Sequence, residues 1–386
     1  MPAFNVQPLA STNLTGIGEY TRQIVRRLLP MTTEAELHVF DFLGRSDAAG
    51  LVRTHLGASA TELAQMSLKV FRGFPLSVYI RSPKMQRILP YAKALSTQAS
   101  PTVFFNYLYP AQSVSRGIIT IYDMVCYRYP ETMEHRNRCL LESRLPDCAA
   151  AAEKIITISE FSRYEIMKFL HIPKEKIIVA PCGVEAEFIH DEDLLAQRRE
   201  LARQIIRQKY KLDDPFFLFL GTLEPRKNLS VLLDAFIKVR EKHPAVKLVL
   251  CGGDGWGSES LRERLSDPKI ASEVIRIGYV SPEDKQHFYY AAQALVFPSL
   301  YEGFGLPPLE AMACGTPVVV SDVSSLPEVV GEAGFLCEAQ NPESFSETMC
   351  TILEKAYDAD SLRRAGLLQA ASFSWDKSTE RIASFL

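Results

Sequence analysis

Two glutamates eight residues apart, Glu302 and Glu310, bracket the run Gly303-Phe304-Gly305-Leu306-Pro307-Pro308. The apolar run Ala294–Phe297 precedes them and Val318–Val320 follows, so the stretch reads as strand, glycine loop, short helix and strand. Pro307 and Pro308 suit the first helical positions, where a missing N–H costs nothing, and Gly315 suits the stop. Glu302 then lies in a loop at the carboxyl end of a strand and Glu310 in the first turns of the helix, so both carboxylates can reach one crevice. The amides of Phe304, Gly305 and Leu306 point there too, and the helix N-terminus adds partial positive charge. A carboxylate beside free amides suits a ligand with hydroxyls and a phosphate, which a nucleotide sugar has. The plainer alternative is that the glycines only turn the chain and the glutamates are solvated.

Three further groups of residues stand where a strand gives way to a loop. Arg226 and Lys227 follow the apolar run Phe216–Leu220 and Gly221, where a guanidinium and an ammonium can hold a diphosphate or simply be surface charge. Asn228, next in the chain, suits an N-cap for the helical pattern Leu229–Lys242. Gly16 and Gly18 lead into Ile24, Val25, Leu28 and Leu29, the spacing of an amphipathic helix. That is either an anion cradle or a plain turn, since a third glycine for a dinucleotide fingerprint is missing and no P-loop sequence occurs. Gly117–Thr120 and Ile121 form a buried-strand pattern that ends in Tyr122 and Asp123, the end where α/β sheets place ligands. Ser162 with Glu165 has capping-box spacing.

The stretch from Tyr301 to Pro317 closely resembles the signature of family 4 of the retaining glycosyltransferases, in which two glutamates eight apart flank Gly-Phe-Gly-Leu-Pro. Gly221-Thr222-Leu223-Glu224-Pro225-Arg226-Lys227-Asn228 resembles that family's diphosphate-binding loop, and the likeness runs from Gly16 to Trp375. The resemblance implies an α/β protein of the GT-B class, with two Rossmann-like domains facing across a cleft and a C-terminal helix crossing back to the N-terminal domain. It implies catalytic roles for Glu302, Arg226, Lys227 and Asp123. Donor contacts are implied for Gly16, Gly18, Tyr122, Gly221, Tyr279, Val280, Phe304, Gly305, Leu306 and Glu310, those of Tyr279 and Val280 through the backbone. One position departs from the pattern: the family's His-Asp is Tyr122-Asp123 here, with Pro130 following as expected, so any hydrogen bond to the donor sugar would come from a tyrosine hydroxyl. Ser159-Glu160-Phe161-Ser162 and Phe373-Ser374-Trp375 also resemble family elements.

The activity implied is transfer of a sugar, GDP-mannose being the expected donor, to a glycan or lipid-linked acceptor in bacterial polysaccharide synthesis. No metal and no cofactor are expected, the cations and the helix dipole serving the departing diphosphate. Because of Tyr122, a non-catalytic partner in a glycan-assembly complex stands as an alternative, as does a nucleotide-sugar epimerase of the same fold.

The elements that must position these residues alternate strand and helix along 386 residues, enough for two domains. The expected division is residues 1–195 with a returning helix at 372–386, then 196–371. Hydrophobic residues make up 47% and charged residues 23%, an ordinary globular balance, and a net charge of -3 speaks against nucleic acid. Neither a signal-peptide layout nor a bilayer-length apolar run is evident, so the expected place is the cytoplasm. The eight cysteines are scattered without C-x-x-C and read as buried small apolar residues, free of disulfides and structural zinc. The stretch 63–100 carries Lys69, Arg72, Arg81, Lys84, Arg87 and Lys93 and no acidic residue. Interleaved with aromatics, it reads either as a peripheral membrane contact at the inner membrane face or as a core segment with a solvated basic side.

Overall fold

Short apolar runs separated by helical patterns favour strands shielded on both faces, the condition a parallel sheet imposes. The computed structural model describes residues 1–32, 34–42, 47–57, 67–73, 100–185, 192–268 and 270–386. Every strand pairing in it is parallel. The chain divides into two compact units. One holds Met1–Pro130, Glu134–Cys182 and Trp375–Leu386, and the other holds Glu131–Met133 and Gly183–Ser374.

The first unit runs β1 (Ala3–Asn5), α1 (Gly16–Leu28), β2 (Glu36–Phe42), α2 (Ala48–Leu56), β3 (Ser67–Gly73), β4 (Thr102–Phe104), β5 (Gly117–Thr120), α3 (Val125–Arg128), α4 (His135–Ala151), β6 (Lys154–Thr157), α5 (Glu160–Leu170) and β7 (Ile177–Val179). The second runs α6 (Glu192–Tyr210), β8 (Phe216–Leu220), α7 (Leu229–Lys242), β9 (Lys247–Cys251), α8 (Glu259–Leu265), β10 (Val274–Gly278), α9 (Pro282–Ala291), β11 (Ala294–Phe297), α10 (Leu306–Ala313), β12 (Val318–Ser321), α11 (Leu326–Val330), β13 (Phe335–Cys337), α12 (Pro342–Leu353) and α13 (Ala359–Ser372). The last helix, α14 (Trp375–Ala383), belongs to the first unit.

The sheet orders are β3-β2-β1-β4-β5-β6-β7 and β10-β9-β8-β11-β12-β13. Each is doubly wound: the strands grow outward from the first strand one way, then reverse and grow the other way. The reversal leaves a crevice at the carboxyl ends of β1 and β4 in one unit and of β8 and β11 in the other, where such sheets receive ligands.

The division falls after Cys182, not at the expected 195/196 boundary. Helix α6 goes with the second unit because Leu195, Ala202 and Ile206 are buried, and because Lys209 and Tyr210 bond Asp284 of α9 at 2.5 and 2.9 Å. Helix α14 packs on elements of the first unit. Trp375 packs edge-on against Tyr20 of α1, and Ser378 and Arg381 donate to the carbonyls of Pro181 and Val179.

Helix α2 and strand β3 lie in an interval that carries little periodicity. β3, at the start of the basic stretch, pairs in register with β2 at the sheet edge. There Lys69 is neutralised across the strands by Glu36 at 2.6 Å, and Phe71 packs on His38 and Phe40, as the core reading of this segment expects. The rest of that stretch, 74–99, and with it most of the expected membrane contact, lies outside the described residues.

One glycine of the second unit is dictated by close approach. Gly252 has φ +146°, and a Cβ there would lie 1.9 Å from the Gly221 carbonyl oxygen. Its N–H donates to the Gly278 carbonyl at 2.7 Å, while Gly221 donates to Cys251 at 2.9 Å. The loops after β8, β9 and β10 are thereby tied together along the rim of the crevice.

Candidate active site

The loop after β8 is a single tight turn, Pro225–Lys227, closed by Asn228 in the left-handed region at φ 55°. Asn228 occupies the N-cap position of α7 but its side chain does not cap. It donates instead to the carbonyls of Pro298 (3.1 Å) and Ala339 (2.7 Å), which ties this loop to the chain leaving β11 and to the chain after β13. Asparagine tolerates φ > 0 better than other side chains, so the residue serves backbone geometry and crosslinking at once.

That turn aims two cations at the loop after β11. Arg226 donates to the Tyr301 carbonyl at 2.6 Å and pairs with Glu302 at 3.0 Å and Glu224 at 2.6 Å. Lys227 bonds the other Glu302 oxygen at 2.5 Å and stands 4.9 Å from the centroid of the Phe297 ring. Glu302 and Lys227 are each 8% exposed. The sequence offers the two cations for a diphosphate; in the protein by itself Arg226 and Lys227 form one cluster with Glu224 and Glu302, two carboxylates against two cations, at the switch point between β8 and β11. An ammonium carries three N–H groups and a guanidinium five, the kind of donors that phosphate oxygens accept from.

Burial alone would push the Glu302 carboxyl up, but the charges of Arg226 and Lys227 and the Lys227 hydrogen bond outweigh it and leave it at about 2. Burial and the neighbouring Arg226 charge pull the Lys227 ammonium down from its ordinary value. A carboxyl held below its unfolded value near 4.5 contributes stability that is fully present above that pH and is lost as pH falls toward 2. The expected loss over that window is about 3 kcal/mol from this group. Urea unfolding at stepped pH should therefore show a steeper acid decline for the wild type than for Glu302→Gln; parallel declines would mean that the ion cluster is not what holds Glu302.

Beyond Glu302 the loop is pinned from the neighbouring β12–α11 turn. The Glu302 N–H donates to Ser324 Oγ at 3.0 Å, and Ser325 Oγ donates to the carbonyls of Glu302 and Phe304 at 2.9 and 2.7 Å. Phe304 is buried against Phe373, so only its backbone is available to a ligand. Gly305, at φ +116°, caps α10, and a Cβ there would meet Leu326 at 2.8 Å. The amides of Phe304, Gly305 and Leu306 have no acceptor among the described residues, as an anion cradle requires. The helix stops as read, with Gly315 at φ +65°.

Glu310 is held separately. Lys285 and Tyr289, one turn apart on α9, bond its two oxygens at 2.5 and 2.8 Å. Sequence reasoning missed both partners, although their i, i+4 spacing puts them on one face of a helix. A carboxylate has about four lone-pair sites, so two remain for a diol. Just past β10 Tyr279 is exposed and Val280 half-buried, and the carbonyl of Gly278 beside them is taken by Gly252.

In the first unit Gly16 and Gly18 are not in a turn ahead of α1 but in its first turn, where Thr15 caps the Gly18 amide at 3.4 Å. A Cβ at Gly16 would meet nothing within 4 Å, whereas Gly18 is packed on Leu14 and Pro8. Tyr122 is 4% exposed, and its hydroxyl donates to the Phe105 carbonyl at 3.2 Å, between the rings of Tyr20 and Tyr107. Burial pushes that hydroxyl well above its ordinary pKa. Asp123 is half-buried and accepts from the Val125 N–H at 3.2 Å, starting α3. The cap of α5 is Ser159, not Ser162, whose hydroxyl donates to the Tyr122 carbonyl.

Seven cysteines are buried as expected; Cys139 is exposed. One trio, His243, Cys350 and Glu354, brings nitrogen, sulfur and oxygen ligand atoms within 4.8 Å of one another at the ends of α7 and α12, a proximity that residues so far apart in the chain do not announce.

The sequence model of the family described as "Glycosyl transferases group 1" matches residues 202–368. The chain is 31% identical over 371 residues to O-antigen chain mannosyltransferase B of Escherichia coli, covering 95% of this chain and 94% of that one. It is 30% identical over 246 residues to a D-inositol 3-phosphate glycosyltransferase of Acidothermus cellulolyticus, over 61% of this chain and 53% of the other. Among solved structures, HepE of Anabaena in complex with UDP and glucose superposes with a TM-score of 0.74 at 17% identity, over 99% of this chain and 98% of that one. WaaG, a glycosyltransferase involved in lipopolysaccharide biosynthesis, superposes at 0.69 with 16% identity, over 100% and 99% of the two chains. At that identity the structural likeness speaks for the fold, two Rossmann-like α/β units of the GT-B class.

Proposed function

The chain belongs to the glycosyl transferases of group 1 and is a hexosyltransferase, and from that premise we propose that it transfers mannose from GDP-mannose to a hydroxyl of a glycan or lipid-linked acceptor, with retention at the anomeric carbon and without a metal ion. The observation that carries the reading is the meeting of Arg226 and Lys227 with Glu302 at the β8/β11 switch point, beside three amides that lack acceptors among the described residues. Two cations at the start of a helix suit a leaving nucleoside diphosphate. The choice of mannose is supported by the near full-length relative named a mannosyltransferase.

In this reading the diphosphate lies against the cations Arg226 and Lys227 and takes the amides of Phe304, Gly305 and Leu306, with Gly221 giving the close approach. Glu310 accepts the ribose hydroxyls, and the backbone at Tyr279 and Val280 meets the base. Glu302 faces the sugar and stabilises the positive charge that develops on its ring. With both oxygens bonded to cations and its pKa near 2, it is a weak nucleophile. The attack is therefore assigned to the acceptor hydroxyl on the same face as the departing phosphate: the anomeric carbon–phosphate oxygen bond breaks, the glycosidic bond forms, and the phosphate takes the acceptor proton.

The test is release of nucleoside diphosphate from a donor set of GDP-mannose, UDP-glucose and ADP-glucose, each with and without EDTA. Release from GDP-mannose that EDTA leaves intact is expected. Preference for another donor overturns the substrate, and an EDTA loss restored by magnesium or manganese overturns the metal-free step.

A further inference from the structure

The backbone of an L-residue resists positive φ, and among the described residues five non-glycines adopt it: His171, Lys211, Asn228, Ser324 and Lys355. Three of these follow the ends of helices α5, α6 and α12, where a left-handed residue is the ordinary way to stop a helix. The other two stand in loops of the site just described. Asn228 closes the turn that presents Arg226 and Lys227, and Ser324, at φ 57°, lies in the turn after β12, beside Glu302. Asparagine has a chemical reason to be left-handed; serine has little, and glycine would adopt this backbone without strain. What serine supplies in exchange is its hydroxyl oxygen, which accepts the Glu302 N–H at 3.0 Å. Its neighbour Ser325, fully buried, holds the two carbonyls at Glu302 and Phe304 from the same turn.

We infer that Ser324 is a positioning residue for Glu302: its strained backbone brings the hydroxyl to the Glu302 amide and fixes the carboxylate on the donor sugar. The inference rests on the reading of Glu302 given above. The division of labour is specific. Ser325 clamps the loop from within the core, so its loss harms folding and activity together. Ser324 holds one amide at a conformational cost, so removing it harms activity while relieving the fold.

Ser324→Gly is the discriminating variant. Its melting temperature is expected to equal or exceed that of the wild type, because the left-handed backbone is no longer strained. Its kcat is expected to fall by roughly tenfold or more with donor KM little changed, since a carboxylate no longer fixed samples unproductive positions. Ser324→Asn, which tolerates φ > 0 and restores a side-chain acceptor, is expected to recover most of that kcat. Wild-type turnover by Ser324→Gly overturns the inference, as does a melting temperature that falls in step with kcat. Glu302→Gln run in parallel separates the two levels. If that variant also turns over normally, the reading of the site falls too; if it is impaired, only the role of Ser324 does.

Discussion

Glu302→Gln is expected to lower kcat by about 10²–10³-fold, the cost of removing one preorganised electrostatic partner of a transition state. Glutamine keeps the volume and one acceptor oxygen, so the loop should stay in place on Ser324 and Ser325. Affinity for the free nucleoside diphosphate should not weaken. Arg226 and Lys227 now spend their charge on Glu302, and in the variant that charge is free for phosphate. Initial rates with GDP-mannose and titration calorimetry with GDP measure the two halves separately. A raised KM with kcat intact would mean that Glu302 binds ground state and transition state alike, and the assignment to the sugar would be wrong.

Lys227→Met should destabilise the ligand-free protein by about 3 kcal/mol, the lower part of the range for breaking a buried ion pair, because Arg226 remains to hold Glu302. Methionine was chosen because it is close to lysine in shape and can sit on Phe297, over whose ring the ammonium now lies. The single change also removes a cation from the departing diphosphate, so activity should fall with stability. The double variant Lys227→Met with Glu302→Gln should regain much of the lost stability, because no anion is then left without its lysine, and should regain none of the activity. Urea denaturation of the four proteins gives the coupling. Strict additivity would show that the pair is not energetically joined.

Within the second unit the chemistry was legible because its signals are short-range. The proline and glycine punctuation around α10, the polar turn after β8 and the alternation of strand and helix occupy neighbouring positions, and they fold where they were read. Local rules also set the limit. Ser159 and Ser162 both suit a cap by type, and the extended backbone at Ser159 decides between them. Asn228 sits at an N-cap position, yet its side chain finds better acceptors in Pro298 and Ala339, far along the chain. The allegiance of α6 to the second unit depends on Asp284 of α9, which no pattern within α6 encodes.

By itself, then, the sequence determined the two-unit α/β architecture, the residues that carry charge at strand ends, and the family those residues resemble. Tertiary structure alone decided which charge meets which. That Lys227 neutralises Glu302 while Lys285 and Tyr289 take Glu310 follows from the sheet order, which makes β8 and β11 neighbours although α7, β9, α8, β10 and α9 separate them in the chain. That Tyr122 turns its hydroxyl to Phe105 follows from the depth of the core beneath β5. The physical reason is common to all these cases: periodicity and caps are written over a few residues, whereas a side chain's partner is chosen by packing between segments that the pattern of any one of them does not encode.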